Sequence, residues 1–161
     1  MEITLRIAEL RDSKLIAEML YKLVIDIGDT DVYRGSQEAI AQYGFGPEKR
    51  FHCAIAEADE TAVGFTIYFP TFSTTRGEPG VYLQDLWVDK PAREKGVANK
   101  LLQYVSRASS EQWNATNMTL SVYNDNIKAV KYYQSMGFKI GERERYAALD
   151  GASFQGLVGR C

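Results

Sequence analysis

Hydrophobic positions along the chain follow two spacings, one typical of strands and the other typical of helices. Residues 3–8 alternate between apolar and polar side chains, which predicts a strand. A helix is predicted next, with Asp12 or Ser13 available to cap its beginning and Gly28 to end it. The apolar residues of this helix share one face: Leu15, Ile16, Met19, Leu20, Leu23, Val24 and Ile27.

Strands and helices alternate through the rest of the chain, separated by polar, Gly- and Pro-containing loops at residues 29–35 and 71–80. The further predicted helices are residues 36–43, a helix beginning near Gly96, and residues 126–136. The further predicted strands are residues 51–57, 62–69, 81–88, 117–123, 138–140, 145–149 and 153–158, the first two forming a hairpin. This order predicts a mixed α/β sheet with helices on both faces, in one domain over residues 1–161.

Composition limits the classes of function. The 161 residues carry a net charge of -2, which argues against a general nucleic-acid binder because the phosphate backbone requires a basic face. The single histidine, His52, and the two cysteines, Cys53 and Cys161, lack the spacing of a metal site or a redox pair, so no metal is expected. The sequence contains no long apolar run or signal-peptide pattern, so we expect a cytoplasmic protein without a membrane partner.

The segment that points most directly to a ligand is residues 81–102. An apolar strand leads into a loop that contains Arg93, Gly96 and Ala98, and an amphipathic helix follows. Unpaired N–H groups and the positive dipole end of a helix N-terminus bind phosphate, so this arrangement predicts a phosphate site. The Gly-Lys-Ser/Thr of a P-loop is missing, and Arg93 and Ala98 replace glycines of the dinucleotide fingerprint. The alternative interpretation is a positively charged helix start with a tight-turn glycine.

Two motifs resemble those of the GNAT family of acetyl-CoA-dependent N-acetyltransferases. Leu86-Trp87-Val88 with Arg93-x-x-Gly96-x-Ala98 is similar to motif A of the family. Asn126-x-x-Ala129-x-x-x-Tyr133-x-x-x-Gly137-Phe138 is similar to motif B. The order of elements also resembles that of the family over almost the whole chain. The resemblance implies the GNAT fold, a mixed and mostly antiparallel central sheet flanked by helices on both faces, with acetyl-CoA as cosubstrate.

Within the family, the chain resembles the spermidine/spermine acetyltransferases and their thialysine-acetylating relatives. Matching segments include Tyr43-Gly44-Phe45-Gly46 and Leu149-Asp150-Gly151. The Tyr-Leu-Glu-Asp of that subgroup is Tyr82-Leu83-Gln84-Asp85 here. The glutamate of the subgroup is proposed to take the amine proton through water, and Gln84 cannot act as a base.

The resemblance also implies the contacts to acetyl-CoA. The strand would pair its backbone with the pantetheine arm, and the loop would hold the pyrophosphate through its N–H groups. Tyr133 would protonate the departing thiolate, although packing as a core aromatic is the alternative interpretation. A homodimer is implied as well. The implied cofactor-binding residues are Leu86, Trp87, Val88, Arg93, Glu94, Lys95, Gly96, Val97, Ala98, Asn126 and Tyr133.

Four residues are candidate contacts for the amine acceptor: Gln84, Asp85, Asp26 and Asp29. A carboxylate in the middle of a strand needs a partner or a role, so Asp85 is expected to bind an ammonium or steer water, or to pair with an arginine such as Arg145. Asp26 and Asp29 lie at the C-terminal end of the first helix, where the helix dipole disfavours acids. Solvated loop charges are the simpler interpretation of these two residues.

The sequence therefore predicts transfer of an acetyl group to the primary amine of a small cationic molecule, by direct attack in a ternary complex. A polyamine, thialysine or a lysine-like amine is the expected acceptor. Cys53 is expected to be buried and is a poor nucleophile, and His52 is expected to pack. The alternatives are acetylation of an amino acid, an aminoglycoside or a protein amine, or a CoA-binding module without catalysis.

Overall fold

The computed structural model describes residues 2–142 and 145–159 of the chain. The contacts between Cα atoms divide the chain into two compact units, Met1–Ser121 and Val122–Cys161. The first unit contains the sheet and three helices, and the second contains two helices. In the described part of the chain, none of the helices is long and apolar enough to cross a membrane.

The sheet of the first unit has its strands in chain order. They are β1 (Ile3–Ile7), β2 (His52–Ala58), β3 (Thr61–Ser73), β4 (Glu78–Val88) and β5 (Asn117–Leu120). The first four strands pair antiparallel, and β5 pairs parallel to β4. The predicted mixed, mostly antiparallel sheet is confirmed.

The helices are α1 (Ser13–Ile27), α2 (Gln37–Phe45), α3 (Val97–Trp113), α4 (Ile127–Ser135) and α5 (Gly151–Val158). One face of the sheet packs Ile55 and Phe65 against Ile16 and Met19 of α1 and Ile40 of α2. The opposite face carries α3, because Gly64, which precedes Phe65 on β3, faces Val97 and Leu101. Helices on both faces of the sheet are therefore confirmed for the first unit.

Local chemistry fixes the ends of several elements. Gly28 ends α1 in the left-handed conformation, as its position in the sequence predicts. In the β2–β3 hairpin, Asp59 and Glu60 both adopt positive φ, 49° and 62°, the conformation of the turn that suits the twist of paired strands. The β3–β4 loop is shorter than predicted, since strand pairing continues to Ser73 and resumes at Glu78.

The junction of β1 and α1 holds a charged cluster. Asp12 precedes α1 but does not cap it with its side chain. Its carboxylate instead accepts hydrogen bonds from the Arg6 guanidinium at 2.7 and 3.0 Å and from the Glu9 backbone N–H at 2.7 Å. Arg6 also binds Glu57 of β2 at 2.8 Å, so this one guanidinium joins β1, β2 and the start of α1.

The predicted C-terminal strands are wrong. Residues 138–140 and 145–149 form neither helix nor strand, and the residues predicted as the last strand, 153–158, lie in α5. Phe154, Leu157 and Val158 are spaced at i, i+3 and i+4, which fits one side of a helix. A short apolar run does not distinguish the period of a helix from that of a strand. A helix also satisfies its own backbone hydrogen bonds, whereas a strand needs a neighbouring strand.

Candidate functional site

The central feature of the first unit is a bulge in β4. Ile67 of β3 lies opposite Asp85, and the next residue, Tyr68, lies opposite Leu83, so Gln84 is an extra residue in β4. A bulge of this kind bends its strand and re-aims the side chains beside it. The Thr66 hydroxyl donates to the Asp85 backbone oxygen at 2.9 Å, which fixes the bulge to β3.

Beyond the bulge, β4 loses its other neighbour. Pairing with β5 covers only the four residues from Gly80 to Leu83 and ends where Leu83 lies opposite Leu120. Residues 84–88 therefore have β3 on one side and, within the first unit, no strand on the other. The backbone of Leu86 and Trp87 borders an open strand edge, which can pair with an extended ligand that contains amide groups.

This open edge leads into the loop before α3. Glu94 and Gly96 both adopt positive φ, 63° and 79°. A Cβ at Gly96 would meet nothing within 4 Å, so the backbone angle rather than lack of space favours glycine there. Gly96 has no side chain that can cap α3, and Lys100 N–H is the first to bond back to the Gly96 carbonyl, at 3.1 Å. The preceding N–H groups of the helix, beginning with Val97 and Ala98, suit an anion such as a pyrophosphate.

The side chain of Arg93 does not extend along this loop. Its Nε donates to the Val88 backbone oxygen at 2.8 Å, and its Nη2 binds Asp26 of α1. Asp26 also accepts from the Trp87 indole at 2.9 Å and lies 3.5 Å from the Lys90 ammonium. Burial raises the pKa of Asp26, but the hydrogen bonds from Trp87 and Arg93 outweigh it, and the net pKa lies below its ordinary value. Asp26 thus joins α1 to the end of β4.

A cleft of about 370 Å³ opens beside the bulge, lined by Arg50, Phe51, Ile67, Phe69 and Gln84. Ile67 belongs to the core between the sheet and the α1–α2 layer, so the cleft lies on that face. Sequence analysis identified Gln84 but missed the other four residues as parts of a site. Their residue types carry no functional signal, and only the sheet register brings them together.

Asp85 differs from Asp26 in having no partner within the described part of the first unit. Within the first unit, its carboxylate makes no ion pair or hydrogen bond. Burial raises its pKa to about 6. Tyr33, in the loop after α1, is close enough that its own pKa is raised by burial and by the Asp85 charge. The alternative prediction of an Asp85–Arg145 pair would join the two units and stays a prediction.

The structure therefore separates the four predicted acceptor contacts. Gln84 and Asp85 are adjacent at the bulge, while Asp26 is bound to Trp87 and Arg93. Asp29 is partly buried in the loop that follows α1, and its backbone N–H donates to the Val24 oxygen at 3.0 Å. A role for these four residues in binding an amine stays a prediction.

The second unit contains the motif B residues. Asn126 caps α4, accepting a hydrogen bond from the Ala129 backbone N–H at 3.2 Å, which is the cap expected of an asparagine there. The Tyr133 ring packs against the rings of Phe138 and Tyr132, with centroid distances of 5.4 and 5.3 Å. Burial raises the pKa of Tyr133 to about 12, so its hydroxyl remains protonated at neutral pH.

The two residues set aside in the sequence analysis are packing residues, as predicted. The His52 ring packs against the rings of Tyr68 and Trp113, with centroid distances of 5.6 and 4.9 Å. Burial lowers the pKa of His52. Cys53 is buried, and burial raises the pKa of its thiol, which disfavours the nucleophilic thiolate. In the described part of the chain, no group of three or more His, Cys, Asp or Glu side chains is arranged to hold a metal ion.

The open strand edge, the glycine at the N-terminus of α3 and the tyrosine in a helix capped by Asn126 are the features that the family comparison bears on. Residues 17–138 match the acetyltransferase (GNAT) family, and the chain belongs to it. The chain is accordingly an N-acetyltransferase, and the family uses acetyl-CoA as its cosubstrate.

Relatives and solved structures agree with this assignment. The chain is 28% identical over 142 residues to a thialysine N-epsilon-acetyltransferase of Sus scrofa, covering 81% of this chain and 82% of the relative. It is 29% identical over 79 residues to the spermine/spermidine N(1)-acetyltransferase of Bacillus subtilis, covering 48% and 52% of the two chains. An integron cassette protein of V. cholerae has the same fold, with a TM-score of 0.79, 20% identity and 98% coverage of both chains.

Proposed function

We propose that this protein transfers the acetyl group of acetyl-CoA to the primary amine of a small cationic acceptor, such as a polyamine, thialysine or a lysine-like amine. The observation that carries the proposal is the open edge of β4 running directly into the glycine-initiated N-terminus of α3. The names of the relatives supply the acceptor class, since they act on thialysine and on spermine or spermidine.

The residues present suit acetyl-CoA. Backbone groups of residues 86–88 would pair with the amides of the pantetheine arm, as an added strand would. The N–H groups at the start of α3, beginning with Val97 and Ala98, would hold the pyrophosphate, with Glu94, Lys95 and Gly96 shaping the loop. Asn126, already the cap of α4, would also contact the pantetheine arm. The Arg93 side chain donates to the Val88 backbone oxygen and to Asp26, so it stabilises the loop. The contact to the anion is therefore left to the backbone.

The chemistry requires a neutral amine and a protonated leaving group. An alkyl ammonium with a pKa of about 10.4 is only about 0.1% neutral at pH 7.4, so a proton acceptor must lie near the incoming nitrogen. Attack forms the C–N bond and breaks the C–S bond, and the departing thiolate needs a proton. We assign that proton to Tyr133, whose hydroxyl stays protonated at every pH at which the amine can react.

The test of this function is acetyl-CoA-dependent thiol release by the purified protein with spermidine, thialysine, lysine, other amino acids and aminoglycosides. Turnover of spermidine, thialysine or lysine is the expected result. Tight acetyl-CoA binding in calorimetry without turnover of any amine would contradict it. We also propose that the protein is a homodimer, which size-exclusion chromatography with light scattering tests. We place the reaction in the cytoplasm.

Replacing Tyr133 with phenylalanine tests the acid. We expect Tyr133→Phe to lower kcat about 100-fold, the usual contribution of a positioned acid, while acetyl-CoA binding changes little. Tyr132→Phe is the matched control, one residue away on the same helix, and should keep the wild-type rate. Full activity in Tyr133→Phe would remove this residue from the mechanism.

A further inference from the structure

We propose that Asp85 is the proton acceptor for the incoming amine, in place of the glutamate that the related enzymes carry at the position of Gln84. The inference rests on the proposed function and specifies how its reaction begins. It concerns a residue that sequence analysis considered only as a contact for ammonium or water.

The bulge in β4 places Asp85 beside two residues that line the cleft. Gln84 and Ile67 both line the cleft, and Asp85 lies directly opposite Ile67 in the sheet register. Asp85 is therefore next to Gln84 along the chain and next to Ile67 across the sheet. Its backbone oxygen is fixed by Thr66, so the bulge holds the residue in one place.

Within the first unit, the Asp85 carboxylate has no ion-pair or hydrogen-bond partner. Asp12 and Asp26, two other acids of this unit, are each bound to an arginine. Asp85 has no such bond within the unit, and no fully enclosed side-chain oxygen in the described residues lacks a partner, so its oxygens still reach open space. A partly buried carboxylate without a partner in its unit costs stability and is expected at functional positions.

The groups around Asp85 favour a carboxylate that can take and release a proton. The ionisable neighbours are Tyr33 after α1 and Cys53 on β2, both neutral at physiological pH. Arg50, before β2, lines the same cleft as Gln84. Gln84 is neutral. Burial raises the pKa of Asp85 to about 6, so it is ionised at neutral pH yet is a stronger base than an exposed aspartate.

The proton balance of the reaction is complete with this assignment. The ammonium gives one proton to Asp85, which releases it to solvent, and the neutral amine attacks the thioester carbonyl. As the C–N bond forms and the C–S bond breaks, the nitrogen loses its second proton. That loss balances the proton taken up by the thiolate, so the products are the amide, the free thiol and one proton in solution.

The experiment is the pH profile of kcat/KM for the best amine, measured for the wild type and for Asp85→Asn. The wild-type profile should show an acid limb near pH 6, and Asp85→Asn should lose that limb and about 100-fold in rate. Asp59→Asn, at the tip of the β2–β3 hairpin, is the control and should keep the rate and the profile. A rate within threefold of wild type, or an unchanged acid limb, would overturn the inference.

A second variant, with an acid restored one residue earlier in the chain, distinguishes loss of proton transfer from loss of folding. The double variant Gln84→Glu with Asp85→Asn should regain at least tenfold in rate over Asp85→Asn, because it has the glutamate of the related enzymes. Failure to regain activity, in protein whose circular dichroism matches wild type, would count against a proton-transfer role.

A second measurement does not require turnover. Carboxyl-carbon NMR with labelled aspartate should show Asp85, identified by its absence in Asp85→Asn, titrating near pH 6. Titration below pH 4.5 would overturn the inference even in an active enzyme. If no amine is acetylated while Asp85 titrates near pH 6, the proposed function fails, although the pKa expected of Asp85 is correct. If amines are acetylated while Asp85 titrates below pH 4.5, only the role of Asp85 fails, so the two failures are distinguishable.

Discussion

Two carboxylates in the first unit show how differently one fold can treat the same chemical group. At the β1–α1 junction, Asp12 is enclosed and accepts three hydrogen bonds, two from Arg6 and one from the Glu9 backbone. At the β4 bulge, Asp85 is partly buried and accepts none within its unit. The pKa values move in opposite directions: the Arg6 hydrogen bonds lower the pKa of Asp12, and burial raises that of Asp85 to about 6.

The difference separates a carboxylate that stabilises the fold from one that is available for chemistry. Arg6 also binds Glu57, so the junction holds β1, β2 and the start of α1 together, and each of its three charges has a partner. The bulge keeps a charge enclosed without compensation, and that costs free energy. Such local violations of good packing practice concentrate at functional sites, where a stabilising replacement costs activity.

The largest effect is expected at the junction. Asp12→Asn keeps the shape of the side chain but removes its charge and half of its pairing with Arg6, so unfolding free energy at pH 7 should fall by about 2 kcal/mol. Because the folded pKa of Asp12 lies below its unfolded value, its stabilisation is complete above about pH 4 and is lost as pH falls through the folded pKa. Urea denaturation at pH 7 and pH 3 measures both values, and equal stability of variant and wild type at pH 7 would refute the role of the pair.

The same substitution at the bulge should have the opposite sign. Asp85→Asn removes an uncompensated charge, so unfolding free energy at pH 7.5 should rise by about 1 kcal/mol or more. The folded pKa of Asp85 is about 6 and lies above the unfolded value, so the wild type gains stability as pH falls from 7.5 toward 4. The advantage of the variant should therefore vanish near pH 4. Thermal and urea unfolding at the two pH values test this, and a destabilised Asp85→Asn would show that the carboxylate has a structural partner.

Sequence analysis predicted the elements of the first unit because their signals are local. Helical periodicity, Gly28 and the hairpin turn at residues 58–60 each act within a few residues, and the structure confirms them. The bulge at Gln84 could not be predicted, because it depends on the register of Ile67 and Tyr68 on the neighbouring strand. The interaction of Asp26 with Arg93 joins residues 67 positions apart in the chain, and it too depends on how α1 packs.

In the C-terminal part of the chain, a local sequence signal led to a wrong prediction. Residues 153–158 are apolar over too short a stretch for their period to be clear, and the strand predicted there is wrong because these residues lie in α5. Motif B, by contrast, is specified by local chemistry: an asparagine at the start of α4 and a glycine after its end. Its residues were identified from the sequence, whereas the cleft lined by Arg50 and Phe69 was not.

The smallest expected effect concerns Arg50, on the wall of the cleft. Arg6 is bound to two acids, while Arg50 lies on the cleft wall without an ion-pair partner in the first unit. A cation there repels a polyamine approaching the cleft, so Arg50→Gln should lower KM for spermidine about threefold while kcat changes little. The effect should shrink as ionic strength rises from 20 to about 300 mM, because salt screens exposed charges. A higher KM in Arg50→Gln, for lysine or thialysine in particular, would instead show that Arg50 attracts the carboxylate of an amino-acid acceptor and would place the cleft's selectivity with amino acids rather than polyamines.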